Sequence, residues 1–270
     1  MNAGQPLTGL EVVVTRPARQ ADGLCRRLRK AGASVRRFPA LEIVPPDNIE
    51  VEQSLLHAGW AQSDLAVFVS ANAVRGARQL LGRRRLPAGG PQVACVGPAT
   101  ARALVRAGRA PDLVPEQSYD TEGLLALPAL QGDLQGLRVL VIRGDGGREL
   151  LSRTLRERGA TVSRVSVYRR RQPQPDAERV ARTWAQSRAP DVVTATSPQI
   201  LENLLAMLPE GVAHERLLAS RLVVVSERMI DTVRQAGFKQ SPLVADNPGD
   251  AAVVACLTAW YAGEQGNGNE

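Results

Sequence analysis

The sequence contains two copies of one pattern, separated by 127 residues. Residues 64–70, DLAVFVS, recur as residues 191–197, DVVTATS. The other matching segments are residues 14–16 with 141–143, residues 24–35 with 151–162 and, at an offset of 129, residues 96–108 with 225–237. A period of this length is far outside the range of solenoids and propellers, so it predicts two related modules. Because ligands often bind between domains, we expect the functional site in a cleft between the modules.

The composition predicts a globular protein of a reducing compartment. Apolar residues make up 44% of the 270 residues and aromatic residues only 3%, so the cores must be built from aliphatic side chains. The three cysteines, Cys25, Cys95 and Cys256, are widely spaced and odd in number, which argues against a disulfide framework. We find neither a signal-peptide pattern nor an apolar run long enough to cross a bilayer. We therefore expect a soluble, cytoplasmic protein.

The basic charge indicates an anionic partner. The net charge is +7 and the isoelectric point is near 10.1. The densest basic run, residues 83–85, has no interleaved aromatic residue for stacking on bases, so a nucleic-acid binder is the weakest hypothesis. Two interpretations remain: a solvated, arginine-rich surface, and a site for a small polyanionic substrate that uses a few of the arginines.

Short apolar segments alternate with helical periodicity along the chain. Residues 10–14 are mostly β-branched, for example, and residues 17–31 follow with Leu24 and Leu28 four positions apart, before Gly32 ends the helix. This alternation predicts two open α/β domains, each with a parallel sheet that is covered by helices on both faces.

Hydroxyl residues and glycines follow most of the predicted strands, at the first turn of the next helix. In open α/β sheets, ligands bind beyond the carboxyl ends of the strands. The segments at those ends are residues 15–17, 70–72, 97–100, 143–147, 196–198 and 226–228. Each segment alone is explained by helix capping, as at Ser197 followed by Pro198. Together, several helix N-termini that open toward one cleft would form a receptor for carboxylates or phosphates.

Motifs for a metal or a cofactor are missing from the sequence. The turn at residues 144–147 has neither the Lys-Ser/Thr ending of a P-loop nor the spacing of a dinucleotide fingerprint. His57 and His214 lack neighbouring metal ligands, and we expect both on the surface, with His214 in a loop. No nucleophile motif is found either. The chain therefore either binds a ligand passively or catalyses, without a cofactor, a reaction that needs mainly positioning.

Among the three tyrosines, Tyr168 is the candidate for acid–base chemistry. It ends a predicted strand where the chain leaves one module for the other. Its phenol could donate a hydrogen bond or a proton to a ligand. The alternative is a strand residue whose ring packs in the core. Tyr119 lies in a loop that could reach the cleft, and Tyr261 is expected to pack.

An ordered set of short segments points to one family. The segments are residues 14–17 (VTRP), 32–35 (GASV), 39–43 (PALEI), 68–74 (FVSANAV), 96–101 (VGPATA), 142–151 (IRGDGGRELL), 167–170 (VYRR), 195–198 (ATSP), 224–228 (VVSER) and 237–238 (GF). They run in order over about residues 10–260, and as an ordered set they are specific. On these segments the chain resembles the uroporphyrinogen-III synthase family.

The resemblance implies two flavodoxin-like α/β domains that are joined by a two-stranded β-ladder. The implied boundaries are residues 1–39 with 172–262 for a discontinuous domain, 45–164 for the second domain, and 40–44 and 165–171 for the linkers. Each copy of the repeat would then lend its first strand and helix to the other. Residues 263–270 are rich in Gly, Asn and Glu and are expected to form a disordered tail.

The resemblance also implies a reaction, the closure of hydroxymethylbilane to uroporphyrinogen III with inversion of ring D, in haem biosynthesis. The substrate is a linear tetrapyrrole with acetate and propionate groups, and its dehydration without a cofactor makes the enzyme a hydro-lyase. Tyr168 matches the family's tyrosine that assists the leaving hydroxyl. The residues expected to bind substrate are Thr15, Arg16, Ser70, Asn72, Gly97, Thr100, Arg143, Gly144, Thr196, Ser197, Ser226 and Arg228. No metal site is expected.

The chain departs from the family pattern at two places. Residues 226–228 replace the Gly-Pro-Thr-Thr of some members, although residues 97–100 keep a form nearer to it, and Val69 stands where threonine is common. We expect a monomer that receives its substrate from hydroxymethylbilane synthase. The alternative hypothesis is a non-enzymatic two-domain binder or sensor of small polyanionic ligands, which would bind tightly without changing the product isomer.

Overall fold

The chain forms two compact units. A computed structural model describes residues 5–147, 149–184 and 190–267. What we call the split unit contains the chain up to Glu42 and again from Arg171 onward, whereas the continuous unit is Ile43–Arg170. Each unit is built around its own five-stranded sheet.

Strands and helices alternate along the whole described chain. In chain order they are β1 (Glu11–Val14), α1 (Ala18–Lys30), β2 (Ser34–Arg37), β3 (Glu42–Val44), α2 (Ile49–Gln62), β4 (Leu65–Phe68), α3 (Ala71–Leu80), β5 (Gln92–Cys95), α4 (Pro98–Arg106), α5 (Thr121–Leu125), a 3₁₀ turn (Pro128–Leu130), β6 (Arg138–Gly144), α6 (Leu150–Glu157), β7 (Thr161–Arg171), α7 (Ala177–Trp184), β8 (Val192–Thr194), α8 (Pro198–Met207), α9 (Val212–Ala219), β9 (Arg221–Val224), α10 (Arg228–Gln235), β10 (Leu243–Val244) and α11 (Asp250–Asn267).

The split unit has the strand order β2-β1-β8-β9-β10, with every pair parallel. In sequence terms this is 2-1-3-4-5, the flavodoxin-like order. Alternate residues of β1 point to opposite faces of the sheet. Val12 and Val14 pack with side chains of α1 and α11, whereas Val13 packs with those of α7 to α10. The predicted parallel sheet between two helical layers is confirmed for this unit.

The continuous unit repeats this arrangement. Its sheet has the order β3-β7-β6-β4-β5, and the pairs among β4 to β7 are parallel. Phe68 and Leu140 belong to the core beneath α2, α3 and α4, and Val67 and Val141 belong to the core beneath α5 and α6. The cores are mainly aliphatic, as the composition predicts, with Trp60 against Phe68 as the aromatic pair of this unit.

The two copies of the repeat exchange their first strands. Strands β1 and β2 match β6 and β7 at the 127-residue offset, and β4 matches β8. The register is also repeated, since Val12 pairs with Val35 and Val139 pairs with Val162. Each sheet therefore combines the first two strands of one copy with the later strands of the other, as the family resemblance implied.

In both units an aspartate just before a strand, Asp64 before β4 and Asp191 before β8, accepts the N–H of the first residue of the neighbouring strand. Asp64 Oδ2 accepts the N–H of Arg138 at 2.9 Å, and the matching Asp191 Oδ2 accepts the N–H of Glu11 at 2.7 Å. The side chain of Arg138 adds an ion pair to Asp64 at 2.7 Å. The hydrogen bonds from Arg138 to Asp64, that of the Arg138 side chain first, lower the pKa of the Asp64 carboxyl to about 2.

The chain passes from one unit to the other within β3 and again within β7, and these two strands are neighbours in one sheet. Arg171 at the end of β7 forms an ion pair with Glu42 at the start of β3, with a distance of 2.7 Å. The segments that we expected as linkers are thus continuous with regular strands, and β7 is a single strand of 11 residues.

The structure differs from the sequence-based expectation at the C-terminus and at His214. Helix α11 continues to Asn267, so residues 263–267 are helical rather than disordered; residues 268–270 lie outside the described part. The indole of Trp260 donates to Glu264 at 3.1 Å, one turn along the helix. His214 lies in helix α9, not in a loop, and its Nδ1 is 2.7 Å from the carbonyl of Leu208.

Candidate active site

A polar pocket opens at the switch point of the continuous unit's sheet. Strands β4 and β6 are neighbours, but the helices that follow them, α3 and α6, pack on opposite faces. Ligands of open α/β sheets bind at the carboxyl ends of such a strand pair. The pocket has a volume of about 390 Å³ and is lined by Val69, Ser70, Thr121, Val141, Arg143, Gly144, Asp145, Gly146, Gly147, Leu151, Ser152, Tyr168 and Arg170.

Tyr168 reaches this pocket from β7. Its Oη is 3.2 Å from Oγ of Ser70, and the residue as a whole is only 5% exposed. The ring lies directly over Gly144, where an added Cβ would be 2.5 Å from Cζ of the tyrosine. The backbone is fixed as well, because the carbonyl of Tyr168 accepts the N–H of Asp145 at 2.7 Å. The phenol is therefore held in one place by packing and by two hydrogen bonds.

Ser70 begins helix α3 beside the phenol. Its extended backbone, with φ −167° and ψ 161°, and its Oγ, which accepts the N–H of Ala73 at 3.1 Å, make it a regular N-cap. The positive end of α3 is thereby directed at the pocket. Asn72 lies in the first turn of α3, within hydrogen-bond distance of Arg75 at 3.4 Å.

A glycine turn forms the floor of the pocket. Gly146 and Gly147 have φ values of +69° and +96°, a conformation that glycine adopts without strain. The carboxylate of Asp145 accepts the N–H of Gly146 at 2.9 Å. An added Cβ at Gly147 would meet the guanidinium of Arg143 at 3.1 Å. The guanidinium of Arg143 therefore packs against the turn at Gly147.

Arg143 holds the turn instead of facing outward. Its guanidinium donates to the carbonyls of Gly144, at 3.3 Å, and Gly146, and to Oε1 of Glu149 at 2.9 Å. The hydrogen bond from Arg143 lowers the pKa of Glu149, which keeps that carboxylate ionised. Only 8% of Arg143 is exposed. The sequence analysis predicts that Arg143 contacts substrate. In the structure, its guanidinium donates hydrogen bonds to the glycine turn and to Glu149.

Gly97 and Thr100 lie at the next strand end, outside the lining of this pocket. Gly97 precedes α4, and an added Cβ there would be 2.9 Å from Cβ of Tyr119. Thr100 is buried in the first turn of α4, with 4% of its surface exposed. The ring of Tyr119 is more than half exposed beside them. The two predicted binding residues are therefore part of the same sheet edge, one strand away from Ser70.

In the split unit, the matching turn after β1 is closed. Thr15, predicted to bind substrate, is fully buried, and its hydroxyl donates to the carbonyl of Thr194. Arg16 donates to Asp250 at 2.6 Å and to the carbonyl of Pro248 at 2.8 Å. With 7% of its surface exposed, Arg16 fastens the start of α11 to this turn.

The remaining predicted residues lie at the strand ends of the split unit with part of their surface accessible. Ser197 caps α8 and accepts the N–H of Ile200 at 3.3 Å, and Thr196 precedes it. Ser226 Oγ accepts the N–H of Arg228 at 3.3 Å, and Arg228, the first residue of α10, is exposed. These four residues form a second polar edge, which belongs to the split unit alone.

Four polar side chains of the pocket were not among the predicted site residues: Thr121, Asp145, Ser152 and Arg170. Two of them carried a usable signal, since Asp145 lies between the glycines of the turn and Arg170 follows Tyr168 on the same strand. Thr121 and Ser152 reach the pocket from α5 and α6, which only the tertiary packing brings together.

Three further properties of the described residues bear on the chemistry of the site. These residues contain no group of His, Cys, Asp and Glu that could hold a metal ion. Cys95 is buried, and burial raises the pKa of its thiol, which makes it a poor nucleophile. No described helix is both long and apolar enough to cross a membrane. The pocket is lined by hydroxyl, phenol, carboxylate, backbone N–H and guanidinium groups.

Two α/β units of one strand order, with a polar pocket at a sheet switch point, define the class of protein. The sequence model of Uroporphyrinogen-III synthase HemD matches residues 22–255. The chain is 35% identical to Uroporphyrinogen-III synthase of Escherichia coli K12 over 250 residues, which cover 92% of this chain and all of that relative. The Salmonella typhimurium synthase is 34% identical over the same lengths.

Solved structures of such synthases share the fold. A mutant enzyme of the extremely thermophilic bacterium Thermus thermophilus superposes with a TM-score of 0.58 at 21% identity, covering 95% of this chain and 99% of that one. The enzyme of Helicobacter pylori 26695 gives a TM-score of 0.55 at 13% identity, with 94% and 99% covered. The chain belongs to the uroporphyrinogen-III synthase family. It is a hydro-lyase of porphyrin biosynthesis, as the sequence analysis predicted.

Proposed function

We propose that this chain closes hydroxymethylbilane to uroporphyrinogen III, with inversion of ring D, at the pocket of the continuous unit. The observation that carries this proposal is the position of Tyr168, whose Oη lies 3.2 Å from Ser70 at the carboxyl end of the sheet. In a member of this family, a buried phenol at a sheet switch point is suited to assist departure of a hydroxyl group.

The loss of the substrate hydroxyl needs a proton donor and little else. The phenol of Tyr168 gives its proton to the leaving hydroxyl, which departs as water with the electron pair of the C–O bond. The electrons of the pyrrole ring stabilise the resulting cation. The phenolate later takes back the proton that the substrate releases on ring closure, so the enzyme ends unchanged. The confined position of the phenol keeps it beside the leaving hydroxyl.

The substrate's acetate and propionate groups fit the electrostatics of the pocket. The N-terminus of α3 presents its partial positive charge at Ser70 and Asn72, and Arg170 lies at the pocket's edge. Arg143 is paired with Glu149 and contributes by holding the glycine turn in place. The groups at Gly97, Thr100, Thr196, Ser197, Ser226 and Arg228 remain proposed binding groups, each open to substitution.

The product isomer tests the proposed function. Hydroxymethylbilane closes by itself to the uninverted type I isomer, so chromatography of products with and without the protein separates the two outcomes. We expect type III in the presence of the protein and type I in its absence. Type I alone in both reactions would contradict the proposal. Tight binding of hydroxymethylbilane with only type I product would support the passive binder instead.

We also propose a cytoplasmic monomer that takes hydroxymethylbilane from the synthase that makes it. Support comes from the three free cysteines, two of them buried. Light scattering during size-exclusion chromatography should give the 29.0 kDa of one chain. A coupled assay in which an inactive variant of this chain competes for the released substrate tests the transfer. Direct transfer predicts that the inactive variant slows type III formation more than its substrate affinity explains.

A further inference from the structure

Ser70 carries out two tasks with one hydroxyl group. Its Oγ accepts the N–H of Ala73 at 3.1 Å, and the same oxygen lies 3.2 Å from Oη of Tyr168. A hydroxyl has one hydrogen and two lone pairs. Because the N–H of Ala73 uses a lone pair, the Ser70 hydrogen is available for the phenol oxygen.

The direction of this hydrogen bond decides where the phenol proton lies. If the phenol of Tyr168 donates to Oγ of Ser70, the phenol hydrogen is used within the protein and does not point into the pocket. If Ser70 donates to Tyr168, the phenol proton is left for the pocket. The N–H of Ala73 withdraws electron density from Oγ, and the positive end of α3 adds to this effect, so both make the Ser70 hydroxyl a stronger donor and a weaker acceptor than a free serine.

We infer that Ser70 is a positioning residue that acts through Tyr168, and this inference rests on the proposed function. Ser70 donates its hydrogen bond to Oη, which directs the phenol proton into the pocket. When that proton passes to the leaving hydroxyl, the same hydrogen bond and the N-terminus of α3 stabilise the phenolate. The sequence analysis placed Ser70 among the groups that bind substrate, a different role.

The packing around the ring supports this role. Gly144 leaves no free space between its backbone and the ring, since even one added carbon would overlap Cζ. The carbonyl of Tyr168 is held by the N–H of Asp145. The ring is therefore packed against the glycine turn while its Oη lies 3.2 Å from Oγ of Ser70.

The repeat supplies an internal comparison. Ser197 caps α8 with nearly the same backbone, φ −164° and ψ 156°, and its Oγ accepts the N–H of Ile200. At the 127-residue offset, however, the position of Tyr168 is taken by Leu41. Ser197 therefore shares the capping task of Ser70, and the residue that matches Tyr168 offers it no hydroxyl.

A double-mutant cycle separates positioning from capping. The variants are Ser70→Ala and Ser70→Thr, each made in the wild-type chain and in Tyr168→Phe, and the measured quantity is kcat for type III formation. We expect Ser70→Ala to lower kcat about tenfold, the order of one lost hydrogen bond, with KM nearly unchanged. Ser70→Thr should restore most of the rate, because it returns the hydroxyl. In Tyr168→Phe, Ser70→Ala should have no further effect on kcat.

The control is Ser197→Ala, made in the wild-type chain and in Tyr168→Phe. It should change kcat by the same factor in both backgrounds. Melting temperatures check that Ser70→Ala and Ser197→Ala lose similar stability, as two lost caps should. An equal fall in kcat from Ser70→Ala with and without the phenol would overturn the inference, as would a folded Ser70→Thr variant that is no faster than Ser70→Ala. Wild-type chain that makes only type I isomer would overturn the proposed function and this inference with it.

Discussion

The two units share a strand order, yet their strand ends are built differently. In the continuous unit, Gly144 makes room for the ring of Tyr168, and the phenol reaches Ser70. At the 127-residue offset, the split unit has Pro17 and Leu41 in place of the glycine and the tyrosine. The duplicated framework thus keeps its helix caps in both units, and at the matching position the continuous unit has a tyrosine where the split unit has a leucine.

The paired arginines show the same division. Arg16 and Arg143 match in sequence and are almost equally buried. Arg16 is tied to Asp250 and the carbonyl of Pro248, which closes the edge of the split unit. Arg143 is tied to carbonyls of the glycine turn, which leaves a pocket above it. The two matching arginines therefore hold different partners: Arg16 holds the start of α11, and Arg143 holds the glycine turn that lines the pocket.

The largest effect is expected from Tyr168→Phe, which removes the proton donor and leaves the ring over Gly144. We expect kcat for type III formation to fall about a hundredfold, the low end for a general acid, because positioning by backbone groups remains. The melting temperature should change little. Leu41→Met, at the matching position of the split unit, is the control and should keep the wild-type rate. A Tyr168→Phe enzyme with an unchanged kcat would reduce the tyrosine to a packing residue.

Gly144→Ala should displace the phenol without removing it. The new Cβ would lie 2.5 Å from Cζ of Tyr168, so the ring or the turn must move. We expect a loss of about 1–3 kcal/mol in the free energy of unfolding, as for other overpacked sites, and a kcat about tenfold lower. Urea denaturation and isomer-resolved assays measure both. Gly263→Ala is the control, because an added Cβ there meets nothing. Full activity of Gly144→Ala would show that the ring position does not matter.

Replacing the paired arginines by lysine should separate their tasks. Lysine cannot reproduce the fork of hydrogen bonds, so each variant should lose about 1–2 kcal/mol in the free energy of unfolding. Arg143→Lys should also raise KM several-fold, because the glycine turn loosens, whereas Arg16→Lys should leave KM unchanged. Denaturation and steady-state kinetics measure the difference. If both variants raised KM equally, the contrast between a closed and an open edge would be wrong.

The smallest effect is expected on the free energy of unfolding at acidic pH. The pKa of Asp64 is lowered from 3.8 to about 2 in the folded chain, mainly by the Arg138 side chain. The carboxylate therefore stabilises the fold above about pH 4, and this contribution is lost as the pH falls through 2. Wild type should be more stable than Asp64→Asn at pH 6, with the difference shrinking between pH 4 and 2. A difference that stays constant over that range would contradict the assignment.

Much of this architecture could be predicted from local pattern and from the repeat. The strands and the helices that follow them were found because strand ends here carry Ser, Thr or Gly at helix starts. Helices α7 and α9 were not predicted, because each has only eight residues, about two turns, and α9 directly follows a Pro-Glu-Gly turn. The exchange of first strands came from the family resemblance, because spacing alone does not say which copies pair.

The site was predicted in position more than in role. Tyr168, Ser70 and Gly144 were identified from their places at strand ends, and they do come together. The roles of Thr15, Arg16 and Arg143 were not predictable, because they depend on where their polar groups find partners. A buried hydroxyl at Thr15 and a shielded guanidinium at Arg16 arise from the packing of β8 and α11, which are distant in sequence.

The most direct test compares one substitution at the two matching helix caps. Initial rates of type III formation are measured over a range of hydroxymethylbilane concentrations for Ser70→Ala and Ser197→Ala. Our account predicts that kcat falls about tenfold in Ser70→Ala, whereas Ser197→Ala raises KM and keeps kcat within about twofold. Equal losses of kcat in both variants, or a loss confined to Ser197→Ala, would contradict the claim that the continuous unit carries the proton donor.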